Sequence, residues 1–316
     1  MPSTSRSPLI PGLLAVLGCG FESSNAVDPT MLAVDVPVRL ERVRVRESLV
    51  AGLGTRPVAL HSGQQPNARG VAFEAVVTGV VPEHAGVLAR LVCAVDGHAI
   101  ASQMAFDASG RLARASVGAR VEGSEVLMPG AFIREIPDTC EVRFAFTISP
   151  PLHAGPVRNP APVVTPIATV CFADDVLRDG PCTAQELPRA PASGPAPTVE
   201  LEGELVPRDD GGLALEVRAL ATAGVDGPER ASVRVLASCT ADGVPRALPL
   251  MMWLPMAGLQ AGESVAEVAR ASTDRDGGPA PQQCAIEALL EDGGGARESL
   301  ARWCVRQDGS RAGDCP

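Results

Sequence analysis

The sequence predicts an all-β protein built from two tandem, disulfide-bonded β-sandwich units, and three observations carry that prediction. Eight cysteines fall into two quartets of similar spacing. Cys93, Cys140, Cys171 and Cys182 are separated by 47, 31 and 11 residues, and Cys239, Cys284, Cys304 and Cys315 by 45, 20 and 11. Apolar residues around these cysteines alternate with a period of two, the signature of a half-buried strand. Turn formers are abundant, with 32 Gly, 29 Pro and eight Asp-Gly pairs such as Asp96-Gly97 and Asp242-Gly243, which suits many short strands joined by hairpins.

The two quartets agree in context as well as spacing. Asp96-Gly97 follows Cys93 at the offset at which Asp242-Gly243 follows Cys239. Pro137 precedes Cys140 as Pro281 precedes Cys284, and an apolar residue, Val170 or Trp303, stands before the third cysteine. Agreement at this many offsets reads as an internal duplication. Only the middle gap differs, and the longer one holds the Pro-rich stretch 150–166. Unit boundaries are expected at 66–183 and 199–316, with a stiff, extended Pro/Ala-rich linker over 184–198.

Within each unit, Val87, Ala89, Leu91 and Cys93 share one strand face, as do Val233, Val235, Ala237 and Cys239. Cys140 lies on the same face as Val142, Phe144 and Phe146, and Cys284 on that of Ile286, Ala288 and Leu290. The first two cysteines of each quartet therefore point inward. The expectation is Cys93–Cys140 and Cys239–Cys284 bridging two facing sheets, with Cys171–Cys182 and Cys304–Cys315 pinning the last strand to its exit loop. Other pairings within a quartet stay open. Chain entropy assigns ~4 kcal/mol to each long loop and ~3 kcal/mol to each short one. Paired thiolate sites for zinc usually bring C-x-x-C, which this sequence lacks.

Phe106 lies 13 residues after Cys93, and Trp253 lies 14 after Cys239. A core aromatic between two cysteines resembles the arrangement of immunoglobulin-like sandwiches, and the resemblance implies that Trp253 is buried. The tyrosine corner of that family is missing, since the chain has no Tyr.

The N-terminus, MPSTSRSPLIPGLLAVLGCG, has one Arg followed by a short apolar stretch, Leu9 to Leu17, fit for a signal-peptide core and too short to span a bilayer. Val16-Leu17-Gly18-Cys19 resembles the lipobox of bacterial lipoproteins. The resemblance implies a signal peptide over 1–18 and Cys19 as an acylated (palmitate-bearing) first residue. Gly20, not Asp, follows it, which fits the outer membrane. The alternative is a plain secretory signal with a periplasmic or secreted product. Removing Cys19 from nine cysteines leaves an even number, as an oxidising compartment requires. Residues 19–65 read as a tether with one or two strands in 34–46, although 40–53 fits a short helix equally well.

Composition excludes several chemistries. The net charge is −10 with no basic block, so phosphate contacts cannot supply nucleic-acid affinity. All 27 basic residues are Arg, which excludes a Lys Schiff base, a P-loop and a Ser–Lys dyad; the bias itself reads as genomic base composition. His61, His84, His98 and His153 show no metal-ligand spacing, and no nucleophile elbow is present. Ser272-x-Asp274-x-Asp276-Gly277 echoes half a calcium loop but has Gln283 where the bidentate Glu belongs, leaving Asp274 and Asp276 as a weak calcium candidate. Asp174, Asp175 and Asp179 cluster in the first short Cys loop and read as turn acids. Arg42, Arg44 and Arg46, flanked by Glu41 and Glu47, read as a solvated strand face.

The uncharged run LPLMMWLPM over 248–256 is either a core strand matching 100–106 or an exposed apolar ledge with Met251, Met252, Trp253 and Met256 as adaptable contacts. The functional expectation is a non-enzymatic cell-envelope lipoprotein, with no cofactor, that touches the membrane through its lipid and binds a protein or glycan partner. A carboxylate-based, calcium-dependent surface hydrolase and a passive stalk are the alternatives.

Overall fold

The computed structural model describes residues 26–33, 35–47, 69–101, 106–107, 109–127, 139–148, 163–174, 176–191, 194–208, 212–225, 232–241, 243–272, 281–291 and 297–315. The first unit contains β1 (Ala26–Val27), β2 (Val38–Glu47), β3 (Arg69–Val77), β4 (Ala85–Val95), β5 (His98–Ala101), β6 (Phe106–Asp107), a single helical turn α1 (Ser109–Leu112), β7 (Arg120–Leu127), β8 (Cys140–Ile148), β9 (Val163–Ala173) and β10 (Val176–Asp179). The second contains β11 (Thr198–Pro207), β12 (Leu213–Thr222), β13 (Ser232–Ala241), β14 (Val244–Pro255), β15 (Glu263–Ser272), β16 (Gln283–Glu291), β17 (Arg297–Arg306) and β18 (Gly309–Ala312). The all-β, sandwich-like class expected from the sequence is what the chain adopts.

Each unit packs two antiparallel layers. In the first, β1-β2-β3-β7 faces β10-β9-β8-β4-β5; in the second, β11-β12-β15 faces β14-β13-β16-β17-β18. β5 pairs with β15, so β10-β9-β8-β4-β5 and β15-β12-β11 form one continuous nine-stranded sheet, its ninth strand being β6, which pairs with β4. Apart from β1, which has no counterpart among the described residues, the orders correspond, so the cysteine repeat is a repeat of topology. The turns match too. Asp96 and Gly97 take left-handed φ values of 48° and 80° to close the tight β4–β5 hairpin, and Gly243 (φ 74°) serves β13–β14. Asp179-Gly180, by contrast, ends β10 and joins no hairpin.

Four disulfides form the four expected pairs: Cys93–Cys140, Cys171–Cys182, Cys239–Cys284 and Cys304–Cys315. Their placement corrects one expectation. Cys93 sits directly opposite Cys140 on neighbouring strands β4 and β8, and Cys239 opposite Cys284 on β13 and β16. Both long disulfides therefore lie within one sheet, with Cα atoms 4.0 Å apart, and do not bridge the two layers. Period-two patterning fixes which face a cysteine takes; it does not say whether its partner sits beside it or across the core, and adjacent strands come nearer than facing sheets. In the short loops, the bond reaches past an extra edge strand, β10 or β18, to the segment that follows it.

The first unit also starts earlier than residue 66. β2 pairs with β3 along its length, with a bulge between Leu40 and Arg42, and is the counterpart of β11. The helix alternative for 40–53 fails over 40–47, because Leu40 and Val43 bury into the sandwich from a strand that the bulge re-phases.

The first core centres on Phe73 and Phe144, whose rings meet edge to face at 5.1 Å. The second centres on Val233, Val235, Met252, Leu254 and Ile286 and continues without a break into Val92, Ala99, Ala101 and Cys182 of the first unit. Trp253 is not a core aromatic, contrary to the family resemblance; it is 60% exposed. The linker is not a free spacer either. Leu187 is fully buried, the Ala190 N–H donates to the Gly262 carbonyl, and Gly262 must be glycine because a Cβ would lie 2.0 Å from the Ala190 oxygen.

Candidate functional site

The nine-residue run read as an apolar ledge forms most of β14, the terminal strand of its sheet. Strand alternation splits it. Leu250, Met252, Leu254 and Met256 bury into the core, while Met251 and Trp253 project outward, 67% and 60% exposed. Of the four residues considered as a partner surface, then, Met251 and Trp253 are available and Met252 and Met256 are not. Adjacent methionines go to opposite faces because successive strand side chains do.

β14 tolerates its prolines because it is an edge. Ala241 and Val244 close a two-residue turn and exchange both ladder bonds, so Pro245, opposite Thr240, falls where an N–H would point away from β13. Trp253 lies opposite Arg234, which is held by Glu291 at 2.5 Å. The Trp253 N–H points outward and donates to Glu267 of β15 at 3.3 Å. Beside this pair of apolar side chains runs a shallow cleft floored by Leu236, Ser238, Ala285 and Glu287 and walled by Arg302 and Asp314. Arg302 bonds Glu287 at 3.1 Å and Asp314 at 3.0 Å, so the polar wall is a fixed network.

The other concentration of charge was not legible in the sequence. It joins the two units. Glu141 of β8 and Glu263 at the start of β15 are both buried, at 1% and 0% exposure. Arg143 donates to Glu141 at 2.7 Å and to Glu263 at 2.8 Å. Arg189 of the linker donates to the same two carboxylates at 3.2 and 3.0 Å. The Cys182 N–H adds a bond to Glu141 at 3.0 Å, and the Gln260 N–H one to Glu263 at 2.9 Å. Two carboxylates and two guanidiniums thus neutralise each other. Arg90 seals the rim by donating to the Ala257 carbonyl at 2.7 Å, and β5 pairs in parallel with β15 at Ala99–Glu263 and Ile100–Ser264. Burial acts to raise the Glu263 carboxyl, but the Arg143 hydrogen bond and charge outweigh it and hold that carboxyl below its usual range. A general acid needs the opposite shift, and a general base needs access. Glu263 has neither.

Among the described residues one group of metal-type ligands lies close together: Cys171, Cys182 and Glu186. Its sulfurs are spent in a disulfide. Glu186 caps the Thr183 N–H at 2.8 Å and pairs with Arg178 at 2.6 Å, which bring its carboxyl down to about 2. Asp179 is occupied by the Thr30 N–H at 2.9 Å, and Asp174 takes a left-handed turn conformation. His84 is exposed on a turn, and His98 opens β5 with its Nδ1 buried and unbonded. Arg44 of the expected solvated face pairs with Glu74 at 2.8 Å. Cys19, Asp175, Asp274, Asp276, His61 and His153 lie outside the described residues. No protein-family model matches this chain and no curated protein matches it, so its role is read from the ledge and the locked junction alone.

Proposed function

We propose that this chain is an exported, lipid-anchored envelope protein that acts by binding, presenting Met251 and Trp253 on its second unit to a protein or glycan partner. One observation carries the reading. On a strand whose alternate side chains are fully buried, two large apolar residues stand exposed on the same outer face, at 67% and 60%. Their desolvation by a partner would contribute of the order of 1.5–3 kcal/mol each, enough for a recognition hot spot. Four disulfides support an extracytoplasmic location, where such bonds persist. The lipid anchor rests on the Cys19 motif.

A passive stalk is the alternative that an observation favours, because the sealed junction makes the two units one rigid piece. A photoreactive residue at position 253, with a control at exposed Glu200, separates them in the producing cell. Binding through the ledge gives one discrete adduct from 253 and none from 200; a stalk gives none from either. Intact mass of the mature protein tests the anchor, since acylation at Cys19 adds the mass of its fatty chains.

A further inference from the structure

The outer face beside the short disulfide is built alike in both units, but only one copy is covered. Glu141 stands between Cys171 and Val92 in the register of β9, β8 and β4, and Ala285 between Cys304 and Ser238 in that of β17, β16 and β13. The exit loops match as well. The Gly180 N–H donates to the Thr169 carbonyl at 2.9 Å and the Gly313 N–H to that of Arg302 at 2.8 Å. The sulfurs of Cys182 and Cys315 lie 3.5 and 3.3 Å from the carbonyls of Cys140 and Cys284.

From Cys182 the chain of the first unit runs back over this face. The Cys182 N–H and the Arg189 guanidinium both bind Glu141, and between them Leu187 is fully buried in the cluster that holds Val92, Ala101, Cys171 and Cys182. The stretch 182–189 thus crosses from β9 to the β5 side, where the Ala190 N–H meets Gly262 ahead of β15. Val92 and Glu141 point away from the core of their own unit, yet they are only 0% and 1% exposed. At the matching positions Ser238 and Ala285 are exposed, and they floor an open cleft of about 480 Å³.

We infer that this cleft seats an extended segment of a partner protein, laid across β17, β16 and β13 toward β14 as 182–189 is laid across the first unit. The inference rests on reading Met251 and Trp253 as a binding surface and names the partner they meet. The substituted positions set its chemistry. Arg189 answers Glu141, but Ala285 stands in place of Glu141, so the residue above it carries no charge. Glu287 stands in place of Arg143, and Arg302 and Ser299 already bind its carboxylate, so it calls for no cation from outside. What stays unpaired is apolar: Ala285, Leu236, and Met251 opposite Leu236. The segment is therefore uncharged over the cleft and anchored by an apolar side chain, as Leu187 anchors its own. A glycan suits this floor poorly, because its hydroxyls would be desolvated without partners. Trp253 lies four residues along and two strands across from Ala285, about 16 Å, so about five extended residues reach from cleft to ledge.

Photoreactive residues placed one at a time at 253 and at 314, on the wall of the cleft, test this in the producing cell, with mass spectrometry identifying the linked residue. The expected result is one partner protein, linked from both positions at sites within about ten residues of each other in its sequence. Ser238→Arg and Ala285→Arg, both at exposed positions, lower the yield from 253 about tenfold or more and leave thermal unfolding unchanged. An adduct from 253 with none from 314 overturns the inference and leaves the reading of Met251 and Trp253 standing. Silence from 253 removes that reading and the inference with it. Linked sites far apart in the partner's sequence, a glycan adduct, or an adduct to a second copy of this chain overturn the inference too. So does a yield from 253 that both arginine variants leave unchanged.

Discussion

The same sheet face has opposite fates in the two units. In the first, the outer face of β4 and β8 carries Arg90, Val92, Glu141 and Arg143 and is covered by the linker and by the start of β15. In the second, the matching positions on β13 and β16 hold Leu236, Ser238, Ala285 and Glu287, and the face stays open beside Met251 and Trp253. Four side chains that differ in kind at matching register positions convert a sealed junction into a surface. Duplication supplied the frame; substitution at the outward positions decided what each frame touches, because those positions do not affect the core beneath them.

The largest perturbation should not discriminate between the units. Each has one long and one short disulfide loop, worth ~4 and ~3 kcal/mol in the chain-entropy model, so reduction of all four is expected to unfold both together. Circular dichroism with and without reductant checks this, and a unit that stays folded when reduced would show the repeat to be unequal in stability.

Removing the buried cation sharpens the contrast. Arg143→Ala leaves two buried carboxylates sharing the single guanidinium of Arg189 and is expected to cost about 3–5 kcal/mol in urea denaturation. Glu287→Ala, at the matching but open position, should stay within about 0.5 kcal/mol. Equal costs would mean that the junction is not the rigid element described here. On β14 the same logic applies across one peptide bond. Met252→Ala should destabilise by about 2–5 kcal/mol, and Met251→Ala by less than about 0.5 kcal/mol while abolishing capture of a partner at the ledge.

The smallest effect is one of pH. The Glu263 carboxyl lies below its ordinary 4.5 when folded, so its stabilising contribution is complete above the unfolded value and is lost as pH falls through the folded one. Acid should therefore loosen the junction before neutral pH has any influence. Small-angle scattering from pH 7 down to pH 3 should report a rising radius of gyration only at the acid end, and Glu263→Gln should flatten that response. Expansion near neutrality would point to a different titrating group.

Much of the fold was readable from spacing. The cysteine offsets revealed the duplication, and alternation around Cys93 and Cys140 identified inward-facing strands; the four expected sulfur pairs, one choice among those each quartet left open, are the ones that form. What spacing could not say was that Cys93 and Cys140 are neighbours in one sheet, since facing and adjacent strands share the same period. The start of the first unit was missed because β2 carries no cysteine and its bulge at Leu40 interrupts the alternation. The ledge was half legible: the apolar run was plain, but its division into buried and exposed halves required knowing which face β14 turns to the core. Glu141 and Glu263 gave no signal, being isolated acids 122 positions apart in the sequence.

The sequence by itself determined the number of units, their β character and the division of the sulfurs into two quartets, because each of these depends on local periodicity or on counting residue types. The junction of Glu141, Arg143, Arg189 and Glu263, and the exposure of Met251 and Trp253 in place of their neighbours, were decided only by the tertiary structure. A charge is buried or a side chain exposed according to what folds against it, and no local pattern records that.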